Sequence, residues 1–285
     1  MSEDYPQATP AQKLNIAQYF IASSPVGEVD EVLTDVKKLV ADGSVLTEEA
    51  LLTILREYNT DQMTSAPLPG GAGNLLVTKY GQVGPDQYLD PSTGKVWTFN
   101  HLTRQFGEET DKKQVLAEDI EARRAAVAKA LGEYISDLYK ANKATLAVYG
   151  ADNGTLTICL SAKNVNLSNF WTGSWRSVYT VSSSGEVKGT VKCVVHYFED
   201  GNVQLHSNVE HSGKVNTGAS ADALAADLRK QVEGFETGFQ NNLEEMYVNM
   251  HHSTFKQMRR FLPVNKVKFQ WNANAHSLAS EVNNK

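Results

Sequence analysis

The chain has 285 residues, of which 41% are hydrophobic, and its formal net charge at pH 7 is −6. A chain of this length can bury the core of one large domain or of two small ones. No apolar run reaches the roughly eighteen residues that a membrane helix needs, and the first residues are acidic where a signal peptide is basic, so we expect a cytosolic protein. Cys159 and Cys193 lie within strand patterns, which predicts two reduced core residues rather than a disulfide, a metal pair or a nucleophile.

The charge is divided unevenly along the chain. Residues 251–285 contain six lysines and arginines against one glutamate, a net charge of +5, which leaves −11 on residues 1–250. This basic segment is therefore where we expect an acidic partner to bind.

Residues 1–62 have the pattern of three short amphipathic helices. Apolar residues recur at helical spacing over Ala11 to Ser23 and over Val29 to Val40, and Thr47 followed by two glutamates is typical of a third helix start. We predict an N-terminal helical head.

Residues 63–110 are predicted to form a small β module. Prolines and glycines between Pro67 and Gly73 break the helical pattern, and short β runs follow at Leu75 to Tyr80 and Lys95 to Phe99. The glycine cluster lacks the Lys-Ser/Thr ending and the following helix of a phosphate-binding loop, so it does not predict a nucleotide site.

Residues 111–250 combine a helix, an antiparallel meander and a second, longer helix. The first helix is expected over Val115 to Tyr139, with Arg123 and Arg124 on its solvated face. Asp200-Gly201 predicts a tight primed turn between the last two strands. The expected strand segments are Ala144 to Tyr149, Thr155 to Ser161, Trp175 to Val181, and Gly189 to Leu205 with its turn.

The second helix is predicted from the apolar stripe between Leu224 and Met250. At about 1.5 Å per residue it is roughly 40 Å long, whereas four or five strands about 4.8 Å apart span only about 20 Å. Half of the helix would extend beyond the sheet of one chain, which predicts a partner subunit that covers it.

An aromatic cluster surrounds Arg176 in the sequence and consists of Phe170, Trp171, Trp175 and Tyr179. It is interpreted as a core or interface anchor, with a ligand-stacking platform as the alternative. The residues that we predict at a subunit interface are Trp171, Trp175, Val195, Tyr197, Phe235 and Phe239.

No spacing of residues predicts catalysis or metal binding. The seven histidines include no His-Glu-x-x-His pattern, and neither a nucleophile elbow nor a dinucleotide fingerprint is present. We therefore expect a protein that is not an enzyme and that has no cofactor and no metal.

The C-terminal segment, residues 251–285, begins with a basic run that ends at Pro263. Beyond it, Val267, Trp271, Ala275, Leu278 and Val282 form an amphipathic stripe. One interpretation is a helix that docks on a partner, and the other is a tail that folds back on the body of the protein.

At these residues the sequence resembles the alpha subunits of F-actin capping protein, the CapZ family. The similar stretches follow the family's order over nearly the whole chain. They are Tyr58-Asn59 with Asp61-Gln62, Leu89-Asp90-Pro91, Asn169-Phe170-Trp171 with Trp175-Arg176-Ser177, His196-Tyr197 through Leu205, and Thr254-Phe255-Lys256 through Arg260, Leu262-Pro263-Val264 and Trp271.

The resemblance implies a heterodimer of similar alpha and beta subunits that caps the barbed ends of actin filaments, independently of calcium and without nucleotide or metal. It implies an α+β fold with a helical head, a small β module, a meander that forms half of a sheet shared with the beta subunit, a long helix across that sheet and a C-terminal amphipathic tentacle. It also implies a cytoplasmic protein of the cortical actin cytoskeleton.

Roles for the tail residues follow from the same resemblance. The family's basic capping triad corresponds to Lys256, Arg260 and Lys266, and the same residues are expected to bind phosphatidylinositol bisphosphate. The family usually has arginine where this chain has Lys266, and lysine keeps the charge but loses the bidentate fork. The expected actin-binding residues are Lys256, Arg259, Arg260, Lys266, Val267, Lys268, Trp271 and Leu278.

Further partners implied by the resemblance are the actin-related filament of dynactin and regulators of the CARMIL, twinfilin and myotrophin types, with no nucleic acid. The competing hypothesis is a non-catalytic heterodimeric scaffold subunit with the same fold that does not cap actin. Loss of the basic residues or of the apolar stripe in the tail would favour that alternative, but both are present.

Overall fold

The computed structural model describes residues 8–71, 73–139, 143–199 and 201–249. The chain separates into two compact units, residues 1–232 and residues 233–285. The helices are α1 Pro10–Ala22, α2 Val29–Val40, α3 Glu48–Asp61, α4 Glu118–Leu138 and α5 Ala221–Asn249. The strands are β1 Thr64–Pro67, β2 Asn74–Val77, β3 Gln82–Gly84, β4 Gln87–Leu89, β5 Lys95–Asn100, β6 Gln105–Lys113, β7 Ala144–Gly150, β8 Leu156–Asn166, β9 Trp171–Val181, β10 Glu186–Tyr197 and β11 Val203–Lys214.

The predicted helical head is confirmed, and local signals explain where its helices begin. Thr9 and Gln12 form a reciprocal capping box at the start of α1, and the Thr47 hydroxyl accepts a hydrogen bond from the Ala50 amide at the start of α3. The three apolar stripes meet in one core, in which Ile21 and Leu55 are almost completely buried.

The module that follows the head contains two small antiparallel sheets. One has the order β1-β2 and the other the order β3-β4-β5-β6. Tyr88, Phe99 and Phe106 fill its core, and the rings of Phe99 and Phe106 lie 4.8 Å apart. A buried histidine, His101, lies beside them with its Nε2 atom 3.3 Å from the Tyr88 hydroxyl.

The predicted antiparallel meander is confirmed as a five-stranded sheet with the order β11-β10-β9-β8-β7. Each strand pairs with the strand that precedes or follows it in the sequence. The pairing of β8 with β9 continues without a bulge over eleven residue pairs, and so does the pairing of β9 with β10. The strands are longer than the apolar runs that predicted them, because backbone pairing continues through polar residues at their ends.

The hairpin between β10 and β11 differs from the prediction. A connection of five positions, 198–202, separates the two strands, because Tyr197 is the last residue of β10 to pair and its partner is Val203. The primed two-residue turn is therefore wrong. The amide of Phe198 instead donates to the carbonyl oxygen of Phe170, so the connection is held against the start of the neighbouring strand β9.

The two faces of the five-stranded sheet are covered by different elements. One face, which we call the helix face, carries Leu160 and Tyr179, and α4 packs there against β7. The first part of α5 reaches the C-terminal end of β11, where the side-chain amide of Gln231 donates to the main-chain oxygen of Lys214 at 2.7 Å. On the opposite, module face, Cys159 packs in one apolar cluster with Leu76 of β2 and Leu89 of β4.

Helix α4 contains an arginine that the sequence analysis placed wrongly. Arg124 was expected on the solvated face, but only 5% of it is exposed, and its guanidinium donates to both carboxylate oxygens of Glu121 at 2.6 and 2.8 Å. This bidentate pair lowers the pKa of the Glu121 carboxyl, mainly through the hydrogen bond from Arg124. The pairing compensates for burial of the charge.

Helix α5 begins in the first unit and continues into the second. Within the first unit, Leu224, Leu228 and Val232 are buried, and Arg229 forms ion pairs with Glu133 and Asp137 of α4. Its 29 residues correspond to a length of about 43 Å. This agrees with the length predicted from the apolar stripe.

Candidate subunit interface

Four of the six predicted interface residues lie together at one end of the helix face. In the pairing of β9 with β10, Trp171 lies opposite Tyr197, and two residues further along β9 Gly173 lies opposite Val195. Trp175 follows on β9, and alternate residues of a strand point to the same side of a sheet. These four side chains, Trp171, Trp175, Val195 and Tyr197, therefore form one surface, which we call the aromatic end.

The aromatic end borders an open cavity of about 430 Å³ that is lined mainly by apolar side chains. Trp175 and Val195 line it together with Cys193 and with Leu138 at the end of α4. The indole nitrogen of Trp175 donates to the hydroxyl of Ser177 at 2.9 Å, which fixes the ring in place. Burial raises the pKa of the Cys193 thiol, so this side chain acts as a small neutral apolar group.

Strand β11 is the last strand of the sheet, and in the part of the chain that the structure describes no strand pairs with its far side. At its beginning, 63% of Val203 is exposed, and 39% of Tyr197 on the neighbouring strand is exposed. An open edge offers unpaired main-chain donors and acceptors to another chain. Together with the aromatic end, it forms a surface that combines backbone pairing with apolar burial.

A buried polar network holds the same end of the sheet from the module face. The Glu28 carboxylate, which is only 8% exposed, accepts a hydrogen bond from the Thr172 hydroxyl and lies 2.7 Å from Nδ1 of His196. The other ring nitrogen of His196 lies 3.1 Å from the amide oxygen of Asn202, in the connection before β11. The network fixes the hairpin to the residue that precedes α2, so the head sets the position of the sheet edge.

The remaining two predicted interface residues lie on α5 in the second unit. Phe235 is half-buried, and Phe239 is 6% exposed within the chain. Glu236, between them in the sequence, is fully buried.

The aromatic cluster that the sequence placed around Arg176 is not formed as predicted. Trp171, Trp175 and Tyr179 alternate with Arg176 along β9, so the rings lie on the helix face and the guanidinium on the module face. Sequence proximity was misleading because adjacent strand residues point in opposite directions.

The predicted actin-binding and phosphoinositide-binding residues fall outside the described residues. They are Lys256, Arg259, Arg260, Lys266, Val267, Lys268, Trp271 and Leu278.

Neither a metal-binding cluster nor a membrane-spanning helix occurs in the residues that the structure describes. Among them, no group of three or more His, Cys, Asp or Glu side chains could hold a metal ion. No helix within the described ranges is long and apolar enough to span a bilayer.

Two features of the candidate site were not predicted from the sequence. The first is the pair Leu138 and Cys193, which line the cavity. The helical period of α4 could have placed Leu138 on the face towards the sheet, and the alternation of β10 could have placed Cys193 on the same face as Val195. The network of Glu28, His196 and Asn202 could not have been predicted, since Glu28 and His196 are separated by 168 positions and share no local pattern.

The fold and the site define an α+β protein whose antiparallel sheet ends in an open edge beside an apolar surface. The family model described as F-actin capping protein alpha subunit matches residues 17–281. The chain therefore belongs to the F-actin capping protein alpha subunit family.

Relatives from distant organisms agree with this assignment. The chain is 36% identical to the F-actin-capping protein subunit alpha of Caenorhabditis elegans over 92% of this chain and 94% of the relative. It is 34% identical to that of Dictyostelium discoideum, over 97% and 99% of the two chains.

Among solved structures, a homodimeric actin capping protein alpha subunit from Plasmodium berghei is similar, with a TM-score of 0.74 and 22% identity. The similarity covers 90% of this chain and 99% of the other. It supports the α+β fold.

Proposed function

We propose that this chain is the alpha subunit of a heterodimer that binds the barbed ends of actin filaments, independently of calcium, and blocks the addition and loss of actin subunits. The single observation that carries the proposal is membership of the capping protein alpha family over residues 17–281. The open edge of β11 and the aromatic end support a beta subunit as the obligate partner, since a second sheet can pair at that edge.

The proposal places this protein in the cytoplasm, at the cortical actin cytoskeleton. It acts by binding alone, without catalytic turnover, cofactor or metal. The actin-related filament of dynactin, the CARMIL, twinfilin and myotrophin types of regulator and phosphatidylinositol bisphosphate remain proposed partners. The lipid is proposed to bind Lys256, Arg260 and Lys266.

An elongation assay on stabilised filament seeds tests the function. We expect the purified complex of this chain and a co-expressed beta subunit to stop barbed-end growth at substoichiometric concentrations relative to actin, in the presence or absence of calcium. A stable heterodimer that leaves elongation unchanged contradicts capping and supports the scaffold alternative.

Light scattering tests the partner. We expect the chain expressed alone to be poorly soluble or self-associated, and a one-to-one complex to form with the beta subunit. A monodisperse monomer contradicts the obligate interface. A well-behaved homodimer, the arrangement of the Plasmodium berghei protein, would show that this edge pairs with a second copy instead.

The basic residues of the tail are proposed to guide association. Charges act over a Debye length of roughly 10 Å at ordinary salt, so Lys256→Glu/Arg260→Glu should slow association with the barbed end, most strongly at low ionic strength. Lys285→Glu is the control, because it alters tail charge outside the proposed triad. An unchanged association rate and salt dependence in the double variant contradict the steering role.

The apolar stripe of the tail is proposed to slow dissociation. A large apolar side chain contributes about 1.5–3 kcal/mol when it is fully covered, and the stripe contains four, namely Val267, Trp271, Leu278 and Val282. Truncation after Val264 should therefore speed dissociation by several powers of ten and, because Lys266 is also removed, slow association modestly. A truncated complex that dissociates as slowly as the intact one rules out this role.

A further inference from the structure

A second cavity, of about 300 Å³, lies on the module face between the end of α3, the end of β2 and strands β9 and β10. Four cationic side chains line it, namely Lys79, Arg176, Lys188 and Lys192, against the single carboxylate of Asp61. Four threonines complete the polar lining. All of these residues belong to the first unit.

Two of the cations are held in direct opposition. Register pairs Arg176 of β9 with Lys192 of β10 on the module face. Directly opposed residues of an antiparallel pair have Cβ atoms about 4.5–5.5 Å apart, and like charges at such a pair are destabilising. Lys192 is exposed and forms no ion pair within the described residues, and the one carboxylate of the cavity lining, Asp61, acts on Arg176.

Arg176 is only partly satisfied by the protein. Its Nη1 donates to the main-chain oxygen of Asp61, but its buried Nε has no hydrogen-bond partner among the described residues. Burial lowers the pKa of the guanidinium, and the Asp61 charge opposes that effect. A buried donor without an acceptor is costly and indicates that a group is missing from the site.

The other two cations are less constrained. Lys188 forms an ion pair with Glu186 at 3.2 Å, and the Lys79 amine lies 5.1 Å from the ring centre of the neighbouring Tyr80. Glu210 on β11 lies opposite Thr190, so Glu186 and Glu210 are two further carboxylates on the same face, outside the cavity lining. The cationic excess of the cavity is thus concentrated at Arg176 and Lys192.

A neighbouring lysine also responds to this charge. Burial lowers the pKa of Lys163 to about 8, and the charges of Arg176 and Arg104 lower it further. Lys163 lies opposite Ser174, two residues along β9 from Arg176, and therefore points to the same face. The charge of Arg176 thus adds to the effect of burial in disfavouring the protonated form of Lys163.

We propose that this cavity binds the phosphate group of a small soluble phosphate monoester, with Arg176 and Lys192 as its main ligands. A dianion can neutralise both opposed cations, which a single carboxylate cannot do. The guanidinium supplies the unused Nε donor, and the lysine supplies a point charge. A cavity of about 300 Å³ is at the lower end of the range for small-molecule sites, which limits the ligand to a small molecule. This site goes beyond the proposed capping function and does not rest on it.

Isothermal titration of the complex with its beta subunit tests the site, with inorganic phosphate and glycerol 3-phosphate as probes at constant ionic strength. We expect one saturable site per complex. Lys192→Gln should weaken binding about tenfold or more, since a charge-assisted contact is lost, and Lys192→Arg should largely restore it. Lys37→Gln, at an exposed position of α2 outside the cavity and away from the β11 edge, is the matched control and should bind like the unmodified protein.

The melting temperature provides an independent readout. Without phosphate, Lys192→Gln should melt at a higher temperature than the unmodified complex, because the opposed charges are removed; with phosphate, this difference should shrink or reverse. Absence of saturable binding, or an equal loss in Lys192→Gln and Lys37→Gln, overturns the proposal. Vesicles with a phosphomonoester headgroup distinguish a lipid source: binding of the soluble probe supports the proposal, and binding to vesicles alone contradicts it.

Discussion

Replacement of Gly189 by alanine tests the packing that holds β9 against β10. Gly189 lies opposite Tyr179, whose ring covers it, and an added Cβ atom would lie 2.3 and 2.5 Å from the ring atoms Cδ1 and Cε1. Ordinary van der Waals contact begins at 3.4 Å, so the ring must move by about 1 Å. Tyr179 is only 1% exposed and has little space into which it can move.

The magnitude follows from two opposing effects. Overpacking of a buried site costs about 1–3 kcal/mol, whereas replacement of glycine by alanine reduces the entropy of the unfolded chain and returns about 0.4–1 kcal/mol. We therefore expect Gly189→Ala to lower the free energy of unfolding by about 1.3 kcal/mol, with about 2.6 kcal/mol as the upper end of the range. Gly132→Ala, in the interior of α4 where an added Cβ meets nothing within 4 Å, should instead raise it by about 0.5–1 kcal/mol.

Urea denaturation of the complex at fixed protein concentration, followed by tryptophan fluorescence and far-UV circular dichroism, measures both changes. In a Tyr179→Leu background, Gly189→Ala should cost less, with a coupling energy of at least about 0.5 kcal/mol. If Gly189→Ala is as stable as Gly132→Ala, or if the two changes at the Gly189 pair are additive, the packing argument is refuted.

Three further predictions concern titration, reactivity and metal. Burial lowers the pKa of His101 to about 4, so between about pH 6.5 and pH 4 this histidine binds a proton in the unfolded chain but not in the folded protein. The free energy of unfolding should therefore fall by up to about 1.4 kcal/mol for each pH unit in that interval. Urea titrations at several pH values measure this slope, and His101→Gln should make it shallower. Burial raises the pKa of the Cys159 thiol to about 12, so a thiol reagent should leave Cys159 unmodified until the protein unfolds. Mass spectrometry identifies the modified cysteine, and modification of Cys159 in the folded protein at the rate measured for the denatured chain would contradict its burial. Capping should persist in excess chelator; a loss that one particular metal restores would reveal a site that we have not identified.

The sequence predicted elements well where one apolar period continues for several turns or residues. The α2 helix spans Val29–Val40, the same residues as the apolar stripe that predicted it, and it ends at Ala41 in the left-handed conformation rather than at the expected stop, Gly43. The long helix and the meander follow from the same signals. Strands β3 and β4, of three residues each, are too short to show a period.

Strand β6 shows why patterning alone is insufficient. Of its nine residues only Phe106 is buried, and the others are polar or glycine, so pairing with β5 rather than amphipathicity makes it a strand. The candidate sites depend on still longer separations. Trp175 and Cys193 face each other only because the β9 and β10 strands have a particular register, which the composition of the intervening turn does not determine.

The strand order of the large sheet has a consequence for how the protein is made. Since every strand pairs with its neighbour in the sequence, the sheet can form by successive hairpin closure as the chain leaves the ribosome. β11 is completed last, and its far edge is paired by none of the described strands and has a single lysine, Lys214, at its very end. Such an edge promotes aggregation of unassembled chains. Synthesis of this chain in excess of its partner should therefore give insoluble protein, and coupling its production to that of the partner should protect it.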